Sequence, residues 1–482
     1  MKVFSIFWNI LDKKDKLSFF IIICFSILQA ILEMIGIAAA IPFISFLLKP
    51  ETILNIEIIK NNFEVNSLKL NFNFILFFCF LFFFIFLIKN ILIIYTNKIT
   101  YKFIFNLRSK LYSNLINKVL SQEFLFFVRK GATEIFNTTF NELQNFTMNI
   151  SRPIITLISE LMVSFGILIL IFITGNHESL LLIIPIIFLV GLVLKIINRS
   201  IKNWSIARIT NTEKIIDTNS NLVNGIKEIL IYGKIKEIIS KLNSALFSLK
   251  KVDIKNNLIT TLPRALLEQA VILIFIAIIL FMYYQGKSND GIIITLGFYL
   301  AAAYRLVPSI NKIFVAYQQI KFGKPSIPKV LEFYNLEQKD DNTQTIDEID
   351  FKFAEKIILK EIDFEYRKHN TIIENLNLEI NKNEIIGIFG NSGVGKSSLI
   401  NIVTSLLKSK TGKIFVDGIE VKTFTDFKRY KNLFSISSQD TFLIEGSIRD
   451  NIILGSKNKI TEENLEFAID FSQIKKITNN LP

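Results

Sequence analysis

The stretch IFGNSGVGKSSLI, residues 388–400, decides how the last third of this chain folds. It carries the spacing G-x-x-x-x-G-K-[ST] through Gly390, Gly395, Lys396 and Ser397, with Gly393 inside the loop. An apolar, strand-like run precedes it and an apolar-periodic segment, KSSLINIVTSLL, follows. Strand, loop and helix are therefore expected in that order. Glycines let backbone N–H groups close around phosphate oxygens, Lys396 adds a point charge, and the Ser397 hydroxyl can sit on Mg²⁺. The positive end of the following helix points at the same anion. Gly390, Asn391, Ser392, Gly393, Val394, Gly395, Lys396, Ser397 and Ser398 form the expected nucleotide-phosphate set.

The chain ahead of this loop has another character. Of 482 residues 51% are hydrophobic and 46 are Phe, too apolar a composition for one soluble globule. Six segments are long and apolar enough to cross a bilayer, about 17–48, 72–97, 153–174, 179–198, 260–284 and 291–319. Residues 98–152 carry eight Lys/Arg and residues 199–258 carry eleven, whereas the connection GNHES (175–179) has none. This asymmetry sets both long loops, and both chain ends, on the cytoplasmic side. The net charge of +13 falls mainly in those loops, so it points to membrane orientation and not to nucleic acid. Cys24 and Cys79 both lie inside apolar runs and give neither a metal spacing nor a disulfide framework. At the start, Phe4, Phe7, Trp8 and Leu11 share one helical face, the pattern of a short helix on the inner membrane surface; a frayed terminus fits equally.

Within the long loops, residues 101–120 and 221–251 show apolar positions at three-to-four spacing, so the spans should continue as helices into the cytoplasm. Turns are expected near Gly131 and Gly225. EQKDDNTQTIDEID (337–350) is polar and acid-rich and reads as a linker between residues 1–336 and a second domain, 351–482. In that domain 356–367, 376–390 and 412–421 have strand-type patterns. Tyr366 precedes the phosphate loop and can stack on an adenine face. Gln439, in SISSQDTFLIEG, follows it and can reach Mg²⁺ and an attacking water.

Tyr366, the phosphate loop, GKIFVDG (412–418) and the Gln439 stretch occur in an order and spacing that resemble the nucleotide-binding domain of ABC transporters. Six spans with two long cytoplasmic loops, fused ahead of it, resemble an ABC exporter half-transporter. LEMIGIAAAIPFI (32–44), PRALLEQA (263–270) and AAYRLVPSINKI (302–313) are similar, more narrowly, to lipid-linked oligosaccharide flippases of PglK type. The resemblance implies a mostly α membrane domain of six transmembrane helices, followed by an α/β P-loop domain. It also implies ATP and Mg²⁺ as cofactors, Gln439 as a catalytic residue and Mg²⁺ contact, and coupling helices near VRKGATEIF and VNGIKEILIYG. The implied setting is a homodimer in a bacterial inner membrane, with a lipid-linked glycan or another amphiphile as cargo. The family further uses an LSGGQ-type signature, a Walker B Asp with its catalytic Glu, and a switch His. None occurs among these 482 residues, so the nucleotide-binding domain is expected to be incomplete, a C-terminally truncated fragment without ATPase activity of its own. Exporters of lipid, peptide or drug-like cargo, and a membrane-bound remnant without transport, are the competing readings.

Cargo is read from charges inside the spans, where ionisable groups cost at least about 3 kcal/mol and usually face a cavity or a partner. Lys89, Arg264, Arg305 and Lys312 are the candidate substrate-binding cations, and Glu33, Glu160 and Glu268 are the acids nearby in sequence or span. Arg264 and Glu268 stand four apart and can simply pair, while Lys89 can snorkel. Arg305 and Lys312 share a helix face with Pro308 between them. At about 1.5 Å per residue Arg305 lies in the inner half of the bilayer. Two basic groups there suit a pyrophosphate headgroup.

Overall fold

The computed structural model describes residues 2–39, 72–174, 178–286, 289–338, 351–367, 370–437, 442–456 and 460–475. The chain divides into two units, Met1–Thr343 and Gln344–Pro482. The first is helical: α1 (Lys2–Ile10), α2 (Lys13–Ala38), α3 (Phe72–Leu120), α4 (Phe124–Phe136), α5 (Leu143–Phe146), α6 (Arg152–Thr174), α7 (Glu178–Asn224), α8 (Ile226–Ile231), α9 (Ile235–Tyr284), α10 (Asn289–Gly323) and α11 (Ser326–Tyr334). Single π-helical stretches, Asn137–Glu142 and Thr147–Ser151, join α4 to α5 and α5 to α6.

Among the described residues five helical stretches have the length and apolar character to cross a membrane, against six expected. The remaining expected span, 179–198, forms the first half of α7, where most side chains lie outside the described residues. The first expected span, 17–48, is helical as far as Ala38, and its remainder also lies outside them. At 49, 47 and 50 residues, α3, α7 and α9 far exceed what a bilayer needs. About 20 residues cross the hydrocarbon, so the surplus extends these helices beyond the bilayer, as their periodicity predicts. Outward-facing Phe80, Phe83, Phe84, Ile91 and Ile94 along α3 would be a large apolar patch in water and are ordinary against lipid. Gly131 breaks α4 with φ 72°, and Gly225 separates α7 from α8, so both expected turns are present.

Two apolar clusters hold the helices. One, from α2, α6, α9 and α10, centres on Val163, Ile167, Ile274, Ile278, Tyr299 and Leu306. Here Gly166 lets Met34 lie against α6, because a Cβ at 166 would stand 2.7 Å from its sulfur. The other gathers Phe19, Leu107, Leu115, Phe146, Val330 and Phe333. Phe7, Ile10 and Leu11 belong to this second cluster and are buried. The expected short helix is present as α1, and it turns Phe7 inward against Phe19 while leaving Phe4 exposed. The neighbouring helices offer Phe7 an apolar environment that includes Phe19.

Close to the second cluster, but polar, lies an arrangement the sequence does not announce. Arg208 of α7 points its guanidinium at Glu142 of the first π-helical stretch, 3.7 Å away. It also donates to the Ser326 hydroxyl at the start of α11, at 3.3 Å, and lies over the Phe322 ring. Glu142 is 1% exposed, and neither of its oxygens accepts a hydrogen bond. Burial pulls the Arg208 guanidinium below its ordinary value, against the opposing pull of Glu142 and Asp253. Burial likewise lifts the Asp253 carboxyl, with Arg208 opposing it.

The second unit is built on an antiparallel sheet in the order β2-β1-β3-β4, from β1 (Lys356–Arg367), β2 (Asn370–Asn381), β3 (Thr411–Val416) and β4 (Ile419–Glu420). Helices α12 (Lys396–Val403), α13 (Phe424–Lys431), α14 (Ile448–Ile452) and α15 (Glu462–Phe471) complete it. Ile357, Leu359, Ile362 and Phe364 alternate inward from β1, with Ile414 and Val416 of β3 beside them. The expected strand over 376–390 is corrected. Pairing ends at Asn381, and 384–390 joins no ladder among the described residues. Ile385 and Phe389 are 98% and 94% exposed. Apolar residues hold a strand only where a neighbouring strand takes up their backbone groups, and no described strand lies alongside.

Candidate functional site

The phosphate loop is formed as its glycines require. Gly393 and Gly395 adopt φ of 84° and 105°, a region that favours glycine. A Cβ on Gly395 would also meet the Ile372 side chain at 2.9 Å. Helix α12 begins at Lys396 with Gly395 as its N-cap. The Lys396 ammonium folds back over the loop, donating to the carbonyls of Gly390 and Asn391 at 2.8 Å each. A cation held at the mouth of a glycine loop and a helix N-terminus meets the chemical requirement for a nucleotide phosphate.

Around it, Gly390, Asn391, Ser392, Gly393 and Val394 are exposed along the loop, and Ser397 is exposed in the first turn of α12. Ser398 is buried, and its hydroxyl lies 3.2 Å from the Tyr366 hydroxyl. The structure thus brings Tyr366 to the phosphate-loop helix across 32 residues of sequence, its ring held edge-on against Phe364. Gln439 lies outside the described residues. Lys396 would hold nucleotide phosphates and Ser397 would meet the accompanying Mg²⁺. ATP bound there would supply the free energy of its binding and hydrolysis.

The four intramembrane cations also come together. Lys89, Arg264, Arg305 and Lys312 line one cavity of about 1070 Å³ in the helical unit, with Glu33, Glu268 and an apolar wall that includes Phe82 and Phe86. Each cation has an acidic neighbour. Arg264 pairs with Glu268 at 2.8 Å, the i,i+4 contact anticipated from spacing, and 70% of its side chain is exposed. Lys89 lies 3.3 Å from Glu33 and over the Phe86 ring, an ion pair where snorkelling was the alternative. Arg305 stands between both buried acids, 2.9 Å from Glu33 and 4.0 Å from Glu160. Lys312 meets Glu160 at 2.6 Å, and Ser309 donates to the same carboxylate at 2.7 Å. Arg305 and Lys312 thus both line the cavity, and both are paired with acids. Positions 305, 309 and 312 share one face of α10, and Glu160 of α6 reaches across to all three. Spacing along α10 places its own residues on a face, but carries no information on which acid another helix presents.

Comparison with known proteins agrees with both halves. Residues 10–303 match the family described as ABC transporter transmembrane region, and residues 373–482 match the family described as ABC transporter. The ATP-dependent lipid A-core flippase of Francisella tularensis subsp. holarctica (strain OSU18) is 22% identical over 380 residues, covering 77% of this chain and 60% of that protein. The ATP-dependent lipid A-core flippase of Wigglesworthia glossinidia brevipalpis is 23% identical over 387 residues, covering 77% of this chain and 63% of that protein. The heterocyst differentiation ATP-binding protein HepA of Nostoc sp. (strain PCC 7120 / SAG 25.82 / UTEX 2576) is 21% identical over 364 residues, 75% of this chain and 59% of that protein. The chain spans about three fifths of the length of these relatives. Two of the three are named lipid A-core flippases and none is named a PglK-type flippase. A multi-pass helical unit with an intramembrane charged cavity, followed in one chain by an ATP-type phosphate loop, is the half-transporter arrangement, and this chain belongs to the ABC transporter family.

Proposed function

We propose that this chain is one subunit of an ATP-driven exporter that moves an amphiphile with a phosphate-bearing headgroup across a bacterial inner membrane. The observation that carries this reading is the convergence of Lys89, Arg264, Arg305 and Lys312 on one largely apolar cavity. Cations cost free energy in hydrocarbon and are kept where they do something. An apolar wall beside them suits the lipid part of a cargo. Arg is well matched to phosphate oxygens because its planar fork donates two parallel hydrogen bonds. A lipid-linked pyrophosphate oligosaccharide has this chemistry. The names of the flippase relatives support a lipid cargo more broadly. Two chains acting as a homodimer, with ATP and Mg²⁺ at the Lys396 loop and Gln439 beside the reacting water, complete the proposed machine.

The test is ATP-driven flipping by the complete gene product in liposomes. A pyrophosphate-linked glycolipid and lipid A-core are assayed in parallel. Arg305→Ala and Lys312→Ala are each expected to reduce flipping of the preferred lipid about tenfold, the loss of one charged hydrogen bond. Transport of either lipid by both variants at the parent rate would remove the headgroup reading.

A further inference from the structure

Three cations, Lys89, Arg305 and Lys312, share two carboxylates, Glu33 and Glu160, whose side chains are only 2% and 6% exposed. Were this a purely structural network, burial would demand aligned hydrogen bonds, since a desolvated ion pair holds its own only with good geometry. The alignment is missing at its centre. Nε and Nη2 of Arg305 are buried and make no hydrogen bond, and neither does Oε1 of Glu33, although Nε stands 2.9 Å from that oxygen. The contact is Coulombic, and Arg305 is among the residues that line the cavity. Glu160, by contrast, is well bonded, to Ser309 and Lys312.

We infer that Glu33 and Glu160 are counter-charges that position the cations and set how tightly the cavity holds an anionic headgroup. With the cavity empty they keep Lys89, Arg305 and Lys312 in place and lower the cost of holding the largely buried charges of Lys89 and Arg305. An arriving phosphate then competes with the carboxylates for the same cations, and its own charge is repelled by both acids. Binding is therefore weaker than three bare cations would give. That suits a transporter, which must release what it binds. The inference rests on the headgroup reading of the same cavity, and it makes the opposite prediction for acids and bases.

Undecaprenyl pyrophosphate serves as probe, with the 482-residue chain in phosphatidylcholine nanodiscs and bound lipid quantified by native mass spectrometry. Glu160→Gln keeps an acceptor for Ser309 and removes one negative charge, so affinity should rise about tenfold. Glu33→Gln should act in the same direction and decides the matter if Glu160→Gln does not fold. Arg305→Gln should weaken binding about tenfold. Binding of zwitterionic phosphatidylcholine should move with none of the three, which a merely structural role for the acids would not produce. Unchanged or weaker binding in the acid variants, with Arg305→Gln still impaired, overturns the counter-charge role alone. Parent-level binding in Arg305→Gln as well overturns the headgroup reading with it.

Discussion

Replacing Lys396 with alanine should weaken binding of MgATP to this chain by at least about a hundredfold, from the loss of roughly 3 kcal/mol of charge-assisted contact. The structure shows two reasons. The ammonium is the cation aimed into the loop, reached through carbonyl contacts at Gly390 and Asn391. Those same contacts tie the lysine back to the start of the loop, so alanine removes both the charge and the clasp. Lys408→Ala, an exposed lysine five residues beyond α12, is the control and should bind as the parent does. Titration calorimetry with MgATP reads both. Equal affinity in the Lys396→Ala variant would mean that the loop does not hold the nucleotide through this residue.

The second large effect is one of stability, in the helical unit. Arg208→Ala leaves Glu142 as a buried carboxylate with its cation gone, a loss of the kind that costs about 3–5 kcal/mol. The consequence is not confined to one contact. Arg208 joins α7 to the π-helical stretch 137–142 through Glu142, and to the start of α11 through Ser326. The purified Arg208→Ala protein should melt well below the parent in detergent. A double variant, Arg208→Ala with Glu142→Ala, should recover part of the loss, because no unpaired carboxylate then remains at 142. A single variant that melts with the parent would show the pair to be energetically idle.

The sequence carried the class of the molecule but not its cross-helix contacts, and the division is physical. The phosphate loop is legible because its glycines, lysine and serine act within nine consecutive residues, and α12 starts where the pattern places it. Helices longer than a bilayer needs and the breaks at Gly131 and Gly225 are legible because periodicity and chain turns are local properties. Glu160 meeting Arg305, Ser309 and Lys312 joins residues some 150 positions apart, and no spacing rule reaches that far. Arg208 with Glu142 is hidden for the same reason. The run 384–390 differs from its strand-like pattern for another reason. Its apolar pattern is strand-like, but a strand is a pairwise structure, and the described sheet pairs β1, β2, β3 and β4 without it. Tyr366 shows the limit from the other side. Its position before the loop was readable, while its hydroxyl contact with buried Ser398 appears only once β1 and α12 are brought together.

The charged cavity of the helical unit is expected to receive an anionic lipid. Tyr304 and Tyr283 allow this to be measured side by side, since both are similarly exposed residues of long apolar helices, at 82% and 78%. Only Tyr304, next to Arg305, lines the cavity. Photoreactive benzoylphenylalanine is placed at one position or the other in the full chain, which is illuminated in nanodiscs containing radiolabelled undecaprenyl pyrophosphate. The label should enter the protein at least about fivefold more from position 304, and excess unlabelled pyrophosphate lipid should suppress it there, as saturable binding requires. Equal labelling from 304 and 283, insensitive to competition, would show that the lipid meets both positions only as bulk bilayer, and would contradict the central claim.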